Sequence, residues 1–466
     1  KDFDIVIGLE IHAELNTKTK CFCGCANVFG SKPNTNCCPV CVGMPGALPF
    51  VNREAVSKTI AAGLTMDCKI NDLAIFERKN YFYPDLSKAY QISQLVRPIC
   101  LGGGIKLKDG KFIRLNRIHL EEDAGKLTHN AVLRETMVDY NRGGVPLIEI
   151  VTEPDFSSAA EVVEFLEAVR SRLIYADVAG CKMEQGGMRC DVNLSLKKKG
   201  AKELGNRTEM KNLNSFKMVT RAIEYESNRQ AELLSKGEKI TTETRKWDDA
   251  KGKTASMRNK EESQDYRYFP DPDIYSVQIS RADVEKVQKV MPTLAHQYRE
   301  LFMTKYNLPA YDADILTREK SLTNYFIGCI KCLNSPKQIA NWILTDLLKF
   351  DVFPNITATH LTDIIKMVED KKINKTVGLQ LLDRVIETGK SPADLAKQLG
   401  LLATVSETEI KAILQKLKTD NPKVATDYTE KPDRVLAFIV GQVMKQTQGK
   451  AKSDIVQKLI PDIFGK

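Results

Sequence analysis

The chain has 466 residues, of which 42% are hydrophobic and 28% are charged, a composition typical of a globular protein with about two to four domains. No apolar run approaches the roughly 18 residues that a membrane-spanning helix needs, and the N-terminus does not resemble a signal peptide. The twelve cysteines are too sparse for a disulfide scaffold. We therefore expect a protein of the reducing cytoplasm, whose net charge of +9 is compatible with a polyanionic partner without requiring one.

Strand-like patterns dominate residues 1 to about 290. Segments 4–12, 147–151 and 189–196 have β-type hydrophobic patterns bounded by turn residues. Apolar residues recur at helical spacing over 158–175, and the three glycines at 102–104 are typical of a hairpin turn. Because strands and helices mix without a regular β-α-β repeat, the pattern favours an α+β fold over a doubly wound sheet.

Helical periodicity replaces the strand patterns after Met291 and Pro292. Proline-containing breaks interrupt it at 308–309, 353–354 and 390–392. Gly400 suggests one more boundary, before a lysine-rich final segment. The sequence therefore predicts three domains, at residues 1–290, 291–402 and 403–466.

Four cysteines in the N-terminal region have the spacing of a metal site. Cys23 and Cys25 form one close pair, and Cys38 and Cys41 form another after twelve intervening residues. Two short thiol pairs across a loop rich in glycine and proline can close a tetrahedron around Zn²⁺. Four thiolates leave no open position on the ion, so the predicted zinc site is structural. The nearby Cys21 and Cys37 leave the ligand set open, and four unrelated buried thiols are the alternative.

Acidic side chains near the first strand suggest a second kind of metal site. Glu10 and His12 alternate along segment 4–12 and share one face, although a solvated strand face would show the same pattern. A carboxylate inside the apolar segment 147–151 is costly unless it is paired or bound to a metal. Mg²⁺ prefers oxygen ligands and usually shares them with phosphate. The further candidate ligands are Glu121, Glu122, Glu149, Glu184 and Asp191.

Segment 78–94 interleaves cations with aromatic rings, as Lys79, Tyr81, Tyr83 and Lys88 illustrate. Cations of this kind neutralise phosphate and aromatic faces stack on bases, although an aromatic core loop with solvated lysines gives the same pattern. Ser157 and Ser158 lack the glycine-rich flanks of an amidase nucleophile, and no cysteine–histidine pair indicates a glutaminase.

Taken together, these segments resemble the GatB family, one of the subunits of the bacterial and organellar aspartyl/glutamyl-tRNA amidotransferase. The resemblance runs over essentially the whole chain and rests on long, ordered motifs. They are VIGLEIH (6–12), FCGC with CPVC and MPGALP (22–49), RKNYFYPDLSKAYQISQ (78–94), HLEEDAGK (119–126), YNRGGVPLIEIVTEPD (140–155), MRCDVNLSL (188–196), EMKNLNSF (209–216), DYRYFPDPDI (265–274) and GQVMKQTQGKA (441–451).

The resemblance implies a fold, a reaction and partners. The fold is a cradle built on an antiparallel sheet, followed by a helical domain and a small helical tail domain. In the cradle, ATP phosphorylates the side-chain carboxylate of Glu or Asp misacylated onto tRNA(Gln) or tRNA(Asn). Ammonia from the amidase subunit then displaces the phosphate, in a heterotrimer completed by a third, small subunit. ATP, Mg²⁺ and structural Zn²⁺ are the implied cofactors, and the tail binds tRNA.

The same resemblance assigns roles to the candidate residues. The implied Mg²⁺ shell comprises Glu10, His12, Glu122, Glu149 and Glu184, with Glu121 and Asp191 as near alternatives. Lys79 is the candidate for contact with phosphate, while Tyr81, Tyr83 and Lys88 shape the ATP pocket and Ser93 or Gln94 lies behind them. In the tail, Lys445, Lys450 and Lys452 are expected to hold the tRNA backbone.

Two other interpretations compete with this one. A non-enzymatic RNA-binding protein with a zinc module would explain the positive charge and the cysteines. It would not explain Glu149 in an apolar strand or the pairing of Glu10 with His12. An archaeal-type relative that pairs with an asparaginase-like subunit would carry an inserted domain, for which this chain has no spare length.

Overall fold

The computed structural model describes residues 2–130, 132, 134–259, 265–350, 352–401, 405–430, 432–447, 451 and 453–465. The chain divides into two compact units, Lys1–Ala295 and His296–Lys466. Within the described residues, no helix has both the length and the apolar character needed to cross a membrane.

The first unit combines many strands with four helices of the described chain. Before residue 150 its elements are β1 (Phe3–Glu14), α1 (Arg53–Thr65), β2 (Lys69–Ile70), β3 (Leu73–Ala74), β4 (Glu77–Asn80), β5 (Tyr90–Ser93), β6 (Cys100–Leu101), β7 (Gly104–Lys106), β8 (Phe112–Glu122), β9 (Lys126–Asn130), β10 (Glu135–Asp139) and β11 (Pro146–Thr152). The elements that follow are α2 (Ala159–Tyr175), the 3₁₀ turn Met183–Gln185, β12 (Met188–Lys198), β13 (Thr208–Leu213), α3 (Phe216–Ser235), β14 (Glu243–Asp248), β15 (Lys253–Asn259), β16 (Phe269–Pro270), β17 (Val277–Gln278) and α4 (Arg281–Val290).

A large sheet forms the body of this unit. Its strand order is β15-β14-β13-β12-β1-β11-β8-β6-β2, and β7 also pairs with β8. Every neighbouring pair is antiparallel except β13 and β14, which are parallel. The strands expected at 4–12, 147–151 and 189–196 are confirmed as β1, β11 and β12, and the helix expected at 158–175 is confirmed as α2.

The two faces of the sheet differ in chemistry. Ile7, Leu9 and Ile11 of β1 are at most 1% exposed and lie on the face that carries the helices. On that side α1 packs on β8, α3 packs on β12, and α2 contacts both α1 and α3. Residues that alternate with the buried ones, among them Glu10 and His12, therefore lie on the opposite face, as the sequence predicts.

The prediction of a hairpin turn at 102–104 is wrong. The strands on either side of these glycines, β6 and β7, both pair with β8 and so form one interrupted strand beside it. Gly102 and Gly103 have φ angles of 62° and 82°, which glycine adopts readily. A Cβ on Gly103 would lie 2.4 Å from the carbonyl oxygen of Met66. Glycine is therefore needed here because the backbone that follows α1 passes close to Gly103.

The second unit is helical in its described part. Its elements are α5 (Ala295–Thr304, beginning at the last residue of the first unit), α6 (Ala310–Leu316), α7 (Lys320–Cys332), α8 (Pro336–Asn341), the π-helical turn Trp342–Leu347, α9 (Ala358–Glu369), α10 (Lys375–Thr388), α11 (Pro392–Gln398), α12 (Glu407–Asp420), α13 (Pro422–Glu430), α14 (Pro432–Gln446) and α15 (Ser453–Phe464).

The helices of the second unit enclose two separate hydrophobic clusters, one between Phe302 and Ala396 and the other between Ile410 and Phe464. The predicted breaks at 308–309, 353–354 and 390–392 fall between helices and are confirmed. Residues 402–404, where the sequence predicts the last domain boundary, lie outside the described residues, so the three-domain division stays a prediction.

Candidate active site and zinc loop

The polar face of the sheet brings acids and histidines from five adjacent strands into register. His12 of β1 lies opposite Glu149 of β11, and Glu149 lies opposite His119 of β8. On the other side of β1, Glu10 lies opposite Asp191 of β12. Each of these residues occupies an alternate position of its strand, so their side chains point in the same direction.

His12, Glu121 and Glu149 form the first cluster that could hold a metal ion. The ligand atoms of the three side chains all lie within 4.8 Å of one another. His12 Nε2 lies 3.5 Å from Glu149 Oε2 and 4.0 Å from Glu121 Oε1. The two carboxylates suit Mg²⁺ or Mn²⁺, whereas the imidazole is a donor that transition-metal ions prefer, so these side chains fit a divalent ion without selecting one.

Glu10, Asp191 and Glu209 form a second such cluster, also within 4.8 Å. Asn193 Nδ2 donates a hydrogen bond to Glu10 Oε1 at 3.0 Å. Lys211 Nζ lies 2.5 Å from Asp191 Oδ2 and 3.0 Å from Glu209 Oε1, so a lysine cation partly neutralises the acids. Burial raises the pKa of Glu10, and the neighbouring carboxylates, Glu149 first, raise it further.

Opposite charges in and around the first cluster stabilise one another. Burial would raise the pKa of Glu149, but His119 and His12 hold it well below its usual range. Burial would lower the pKa of Lys79, yet the charges of Glu121 and Glu149 are among the causes that raise it. The site therefore keeps the Glu149 carboxylate ionised beside a lysine cation.

Glu122 takes part in neither cluster. Its carboxylate forms an ion pair with Lys88 and accepts a hydrogen bond from the backbone N–H of Ile92 at 3.0 Å. Lys88 in turn packs against Gly43 of the cysteine loop, where an added Cβ would lie 2.8 Å from Lys88 Cγ. Glu122 is thus tied to Lys88, next to the loop that carries the cysteines.

Other residues of the aromatic segment surround the first cluster. Lys79 Nζ lies 4.8 Å from the ring centroid of Tyr266, and Tyr81 packs edge-on against the same ring. Ser93 Oγ donates to Glu121 Oε2 at 3.0 Å, and the Gln94 side chain accepts a hydrogen bond from the backbone N–H of Leu120 at 3.0 Å.

Two predicted residues stand apart from the clusters. Tyr83 is 57% exposed. Glu184 is exposed on the 3₁₀ turn Met183–Gln185 and belongs to neither cluster. The ligand role of Glu184 stays a prediction that this arrangement does not support.

Three residues of the site escaped the sequence interpretation, although a signal for each was present. His119 precedes Glu121 by two positions in a strand, so the two side chains share a face. Glu209 and Lys211 alternate in the same way within EMKNLNSF. A one-residue irregularity in the pairing of β12 with β13 lies beside them, where Asn212 has a φ angle of 64°. Which strand neighbours which is a long-range property that local patterns do not carry.

A cavity opens beside Glu10 on the same face. Its volume is about 420 Å³, and its lining includes Gly8, Glu10, Thr152, Asn193 and Arg207. Backbone without a side chain at Gly8, amide and hydroxyl groups, and one arginine near a carboxylate cluster give a polar recess that a phosphorylated ligand could enter.

The cysteine loop brings together the four thiols that the spacing indicates. The sulfur atoms of Cys23, Cys25, Cys38 and Cys41 lie within 4.8 Å of one another. In a tetrahedral zinc site with Zn–S distances near 2.3 Å, neighbouring sulfurs are about 3.8 Å apart, so the four thiols fit Zn²⁺. The hydrogen bond from Cys23 is the main cause that lowers the pKa of Cys41, to about 4.

The two adjacent cysteines are not part of this cluster. Cys21 is fully buried, and its backbone N–H donates to the carbonyl of Gly144 at 2.8 Å. Cys37 Sγ lies 3.8 Å from Asn141 Oδ1. The arrangement thus favours the ligand set Cys23, Cys25, Cys38 and Cys41 over sets that include Cys21 or Cys37.

Comparison with known proteins gives a consistent result over the length of the chain. The family model described as the GatB/GatE catalytic domain matches residues 5–285, and the one described as the GatB domain matches residues 324–463. Proteins named as the B subunit of aspartyl/glutamyl-tRNA(Asn/Gln) amidotransferase are similar to it, at 46% identity in Caldicellulosiruptor bescii and 45% in one such protein of Clostridium acetobutylicum. Both alignments extend over 478 residues and cover 100% of each chain.

Proposed function

Because the chain belongs to the GatB family of the aspartyl/glutamyl-tRNA(Asn/Gln) amidotransferases, we propose that it performs the ATP-dependent half of the amidation. The chain is a subunit of a ligase that uses glutamine as the amido donor. In the proposed reaction, the side-chain carboxylate of Glu or Asp on misacylated tRNA(Gln) or tRNA(Asn) attacks the γ-phosphate of ATP, which forms an acyl phosphate and releases ADP. Ammonia then displaces phosphate from the acyl phosphate and leaves Gln or Asn on the tRNA, in the cytoplasm.

The observation that carries this proposal is the position of Glu10, which belongs to the second acid cluster and also lines the cavity. Phosphoryl transfer depends mostly on positioning and on the neutralisation of charge, with little covalent help from the protein. Asn193 and Arg207 would hold polar groups of the nucleotide, and Lys79 would contact the transferred phosphate. Lys88, Tyr81 and Tyr83 would shape the pocket, and their side chains would exclude water from the acyl phosphate, which water hydrolyses.

Divalent ions fit the two clusters by their donor sets. We assign one Mg²⁺ to His12, Glu121 and Glu149, and a second to Glu10, Asp191 and Glu209. When bound, Mg²⁺ would neutralise the charge that develops on the phosphate oxygens. We assign Glu122 to the positioning of Lys88, because the two side chains form an ion pair beside the pocket. The zinc loop, with four thiolates, would be structural.

The ammonia would come from another subunit. The side chains of Ser157 and Ser158 both form hydrogen bonds with helix α2. Ser158 caps its N-terminus, and Ser157 Oγ donates a hydrogen bond to Glu161 Oε1 at 2.8 Å. We therefore propose that an amidase subunit and a third, small subunit complete a heterotrimer. Residues 1–290 would form the reaction domain, 291–402 a helical domain and 403–466 a tRNA-binding tail. Lys445 of that tail is exposed, and Lys450 and Lys452 lie outside the described residues.

The proposal is tested by γ-phosphate release from ATP in the assembled enzyme with misacylated tRNA. Release should depend on that tRNA, and Glu149→Gln or Glu10→Gln should abolish it while glutaminase activity persists. Glu232→Gln, an exposed position on α3, is the matched control and should behave as the unchanged protein. Full amidation by Glu149→Gln would overturn the metal assignment. Binding of tRNA without any tRNA-dependent cleavage of ATP would favour the RNA-binding alternative.

A further inference from the structure

His119 is a buried histidine that touches the first acid cluster without belonging to it. Its side chain is 3% exposed, and its Nε2 lies 3.4 Å from Glu149 Oε2 and 3.5 Å from Glu121 Oε2. On the opposite edge of the ring, Arg117 Nε donates to Nδ1 at 3.3 Å. The imidazole therefore lies between a guanidinium and two carboxylates.

The proton on Nε2 of His119 follows from its neighbours. In the imidazolium both ring nitrogens carry protons. In the neutral ring one nitrogen must accept, and Nδ1 is the acceptor because the guanidinium of Arg117 can only donate. Nε2 thus carries a proton in either state and faces one oxygen of Glu121 and one of Glu149. The two distances are long for single hydrogen bonds, as expected of one N–H that two acceptors share.

The two carboxylate oxygens of Glu121 have different neighbours. Oε2 accepts from Ser93 Oγ at 3.0 Å and faces His119 Nε2. Oε1 lies 4.0 Å from His12 Nε2, on the side of the metal-compatible cluster. Ser93 and His119 thereby fix the carboxylate from one side and leave the other oxygen toward His12.

We propose that His119 is a positioning residue that orients Glu121 and Glu149 for the divalent ion, with Arg117 holding the ring in turn. The inference rests on the proposed metal site. His119 is not a ligand in this assignment, because its Nε2 carries the proton that the carboxylates accept. His119 faces the Glu121 oxygen that lies away from His12, whereas at Glu149 it faces Oε2, the oxygen that also lies 3.5 Å from His12 Nε2. Groups that hydrogen-bond to metal ligands commonly change metal affinity by about 10- to 100-fold when they are removed.

The experiment measures the binding of Mn²⁺, as a probe for Mg²⁺, by electron paramagnetic resonance on the assembled amidotransferase. His119→Leu should raise the Kd for Mn²⁺ at least about tenfold. His119→Gln, which can place an N–H donor near the position of Nε2, should stay within about threefold of the unchanged enzyme. His129→Leu removes an exposed histidine from β9 and should leave the Kd unchanged. Amidation by His119→Leu should recover when Mg²⁺ is raised above the new Kd.

Two results would overturn the inference about His119. One is Mn²⁺ binding by His119→Leu with the affinity of the unchanged enzyme. The other is a loss of activity that high Mg²⁺ does not restore and that accompanies a lower melting temperature in chelator, since that pattern indicates a purely structural role. Glu149→Gln separates this failure from failure of the metal site itself. If Glu149→Gln binds Mn²⁺ as the unchanged enzyme does, the proposed metal site is wrong. If Glu149→Gln loses Mn²⁺ and His119→Leu binds it normally, the metal site is supported and the positioning role of His119 is wrong.

Discussion

Lys20 Nζ lies 3.6 Å from Cys41 Sγ, and the Lys20 side chain is fully buried. Its other hydrogen-bond partner among the described residues is the carbonyl oxygen of Tyr140, at 3.1 Å. A buried ammonium is costly unless a negative charge compensates it. The thiolate of Cys41 supplies such a charge, so the lysine and the cysteine cluster stabilise each other.

Removal of this cation should weaken the zinc binding that we propose for the four cysteines. Lys20→Met leaves the thiolates without their buried counter-charge, and we expect zinc affinity to fall by about tenfold. Competition with a chromophoric chelator measures the affinity, and Lys18→Met, at an exposed position two residues away, is the matched control. Equal zinc retention by Lys20→Met and the control would contradict the pairing.

The ion pair between the buried Glu226 and the half-buried Arg229 predicts a pH dependence of stability. Glu226 is fully buried and bonds Arg229, Gln230 and Thr254, and these contacts lower its pKa from 4.5 although burial alone would raise it. A carboxyl whose pKa is lowered on folding stabilises the folded state above the unfolded value, and that stability is lost as the pH falls through the folded value.

Glu226→Gln should therefore destabilise the chain by about 1.5–3 kcal/mol at pH 7, because the half-buried guanidinium of Arg229 loses its charge-assisted hydrogen bonds to Glu226 and keeps only the more distant carboxylate of Glu243. The difference from the unchanged chain should shrink as the pH falls below 4.5, because the carboxyl of the unfolded chain takes up a proton there, and it should be lost once the pH passes the lower pKa of the folded chain. Urea unfolding followed by circular dichroism at pH 7 and at pH 4 measures both values. A difference that does not depend on pH would show that the ion pair is not its cause.

Lys211 should compete with divalent ions for the second cluster, because its ammonium contacts Asp191 and Glu209 directly. Lys211→Met leaves three carboxylates near one another without that cation, so the metal-free chain should lose about 1.5–3 kcal/mol of stability. The gain in melting temperature on adding Mg²⁺ should exceed that of the unchanged chain. Melting curves in chelator and in Mg²⁺ give both quantities, and an unchanged gain would count against ion binding at this cluster.

Deletion of the residues after 402 should affect tRNA more than chemistry. The cluster between Ile410 and Phe464 is separate from the one between Phe302 and Ala396, so the truncated chain keeps the latter intact. We expect the KM for misacylated tRNA to rise by on the order of tenfold, with a smaller change in kcat at saturating tRNA. Steady-state amidation at varied tRNA concentration measures both KM and kcat. An unchanged KM would show that the tail does not contribute to tRNA binding.

Sequence patterns predicted what is local in this fold and missed what depends on register. The alternation in β1 placed Glu10 and His12 on one face, and the cysteine spacing found the four thiols. Neither pattern could show that Glu209 reaches Glu10 across β12, because strand order is set by contacts distant in sequence. The pairing irregularity between β12 and β13, beside which Lys211 lies, is equally invisible to a local pattern.

The contact between Gly43 and Lys88 changes what the cysteine loop does for the protein. Gly43 has a φ angle of 71° and no room for a side chain, so its backbone forms part of the wall against which Lys88 rests. Loss of a zinc ion from the loop would allow the backbone at Gly43 to move. Lys88, which pairs with Glu122, would then lose the surface against which it packs. An ion bound by the four thiols would then influence the shape of a pocket that it does not itself enter.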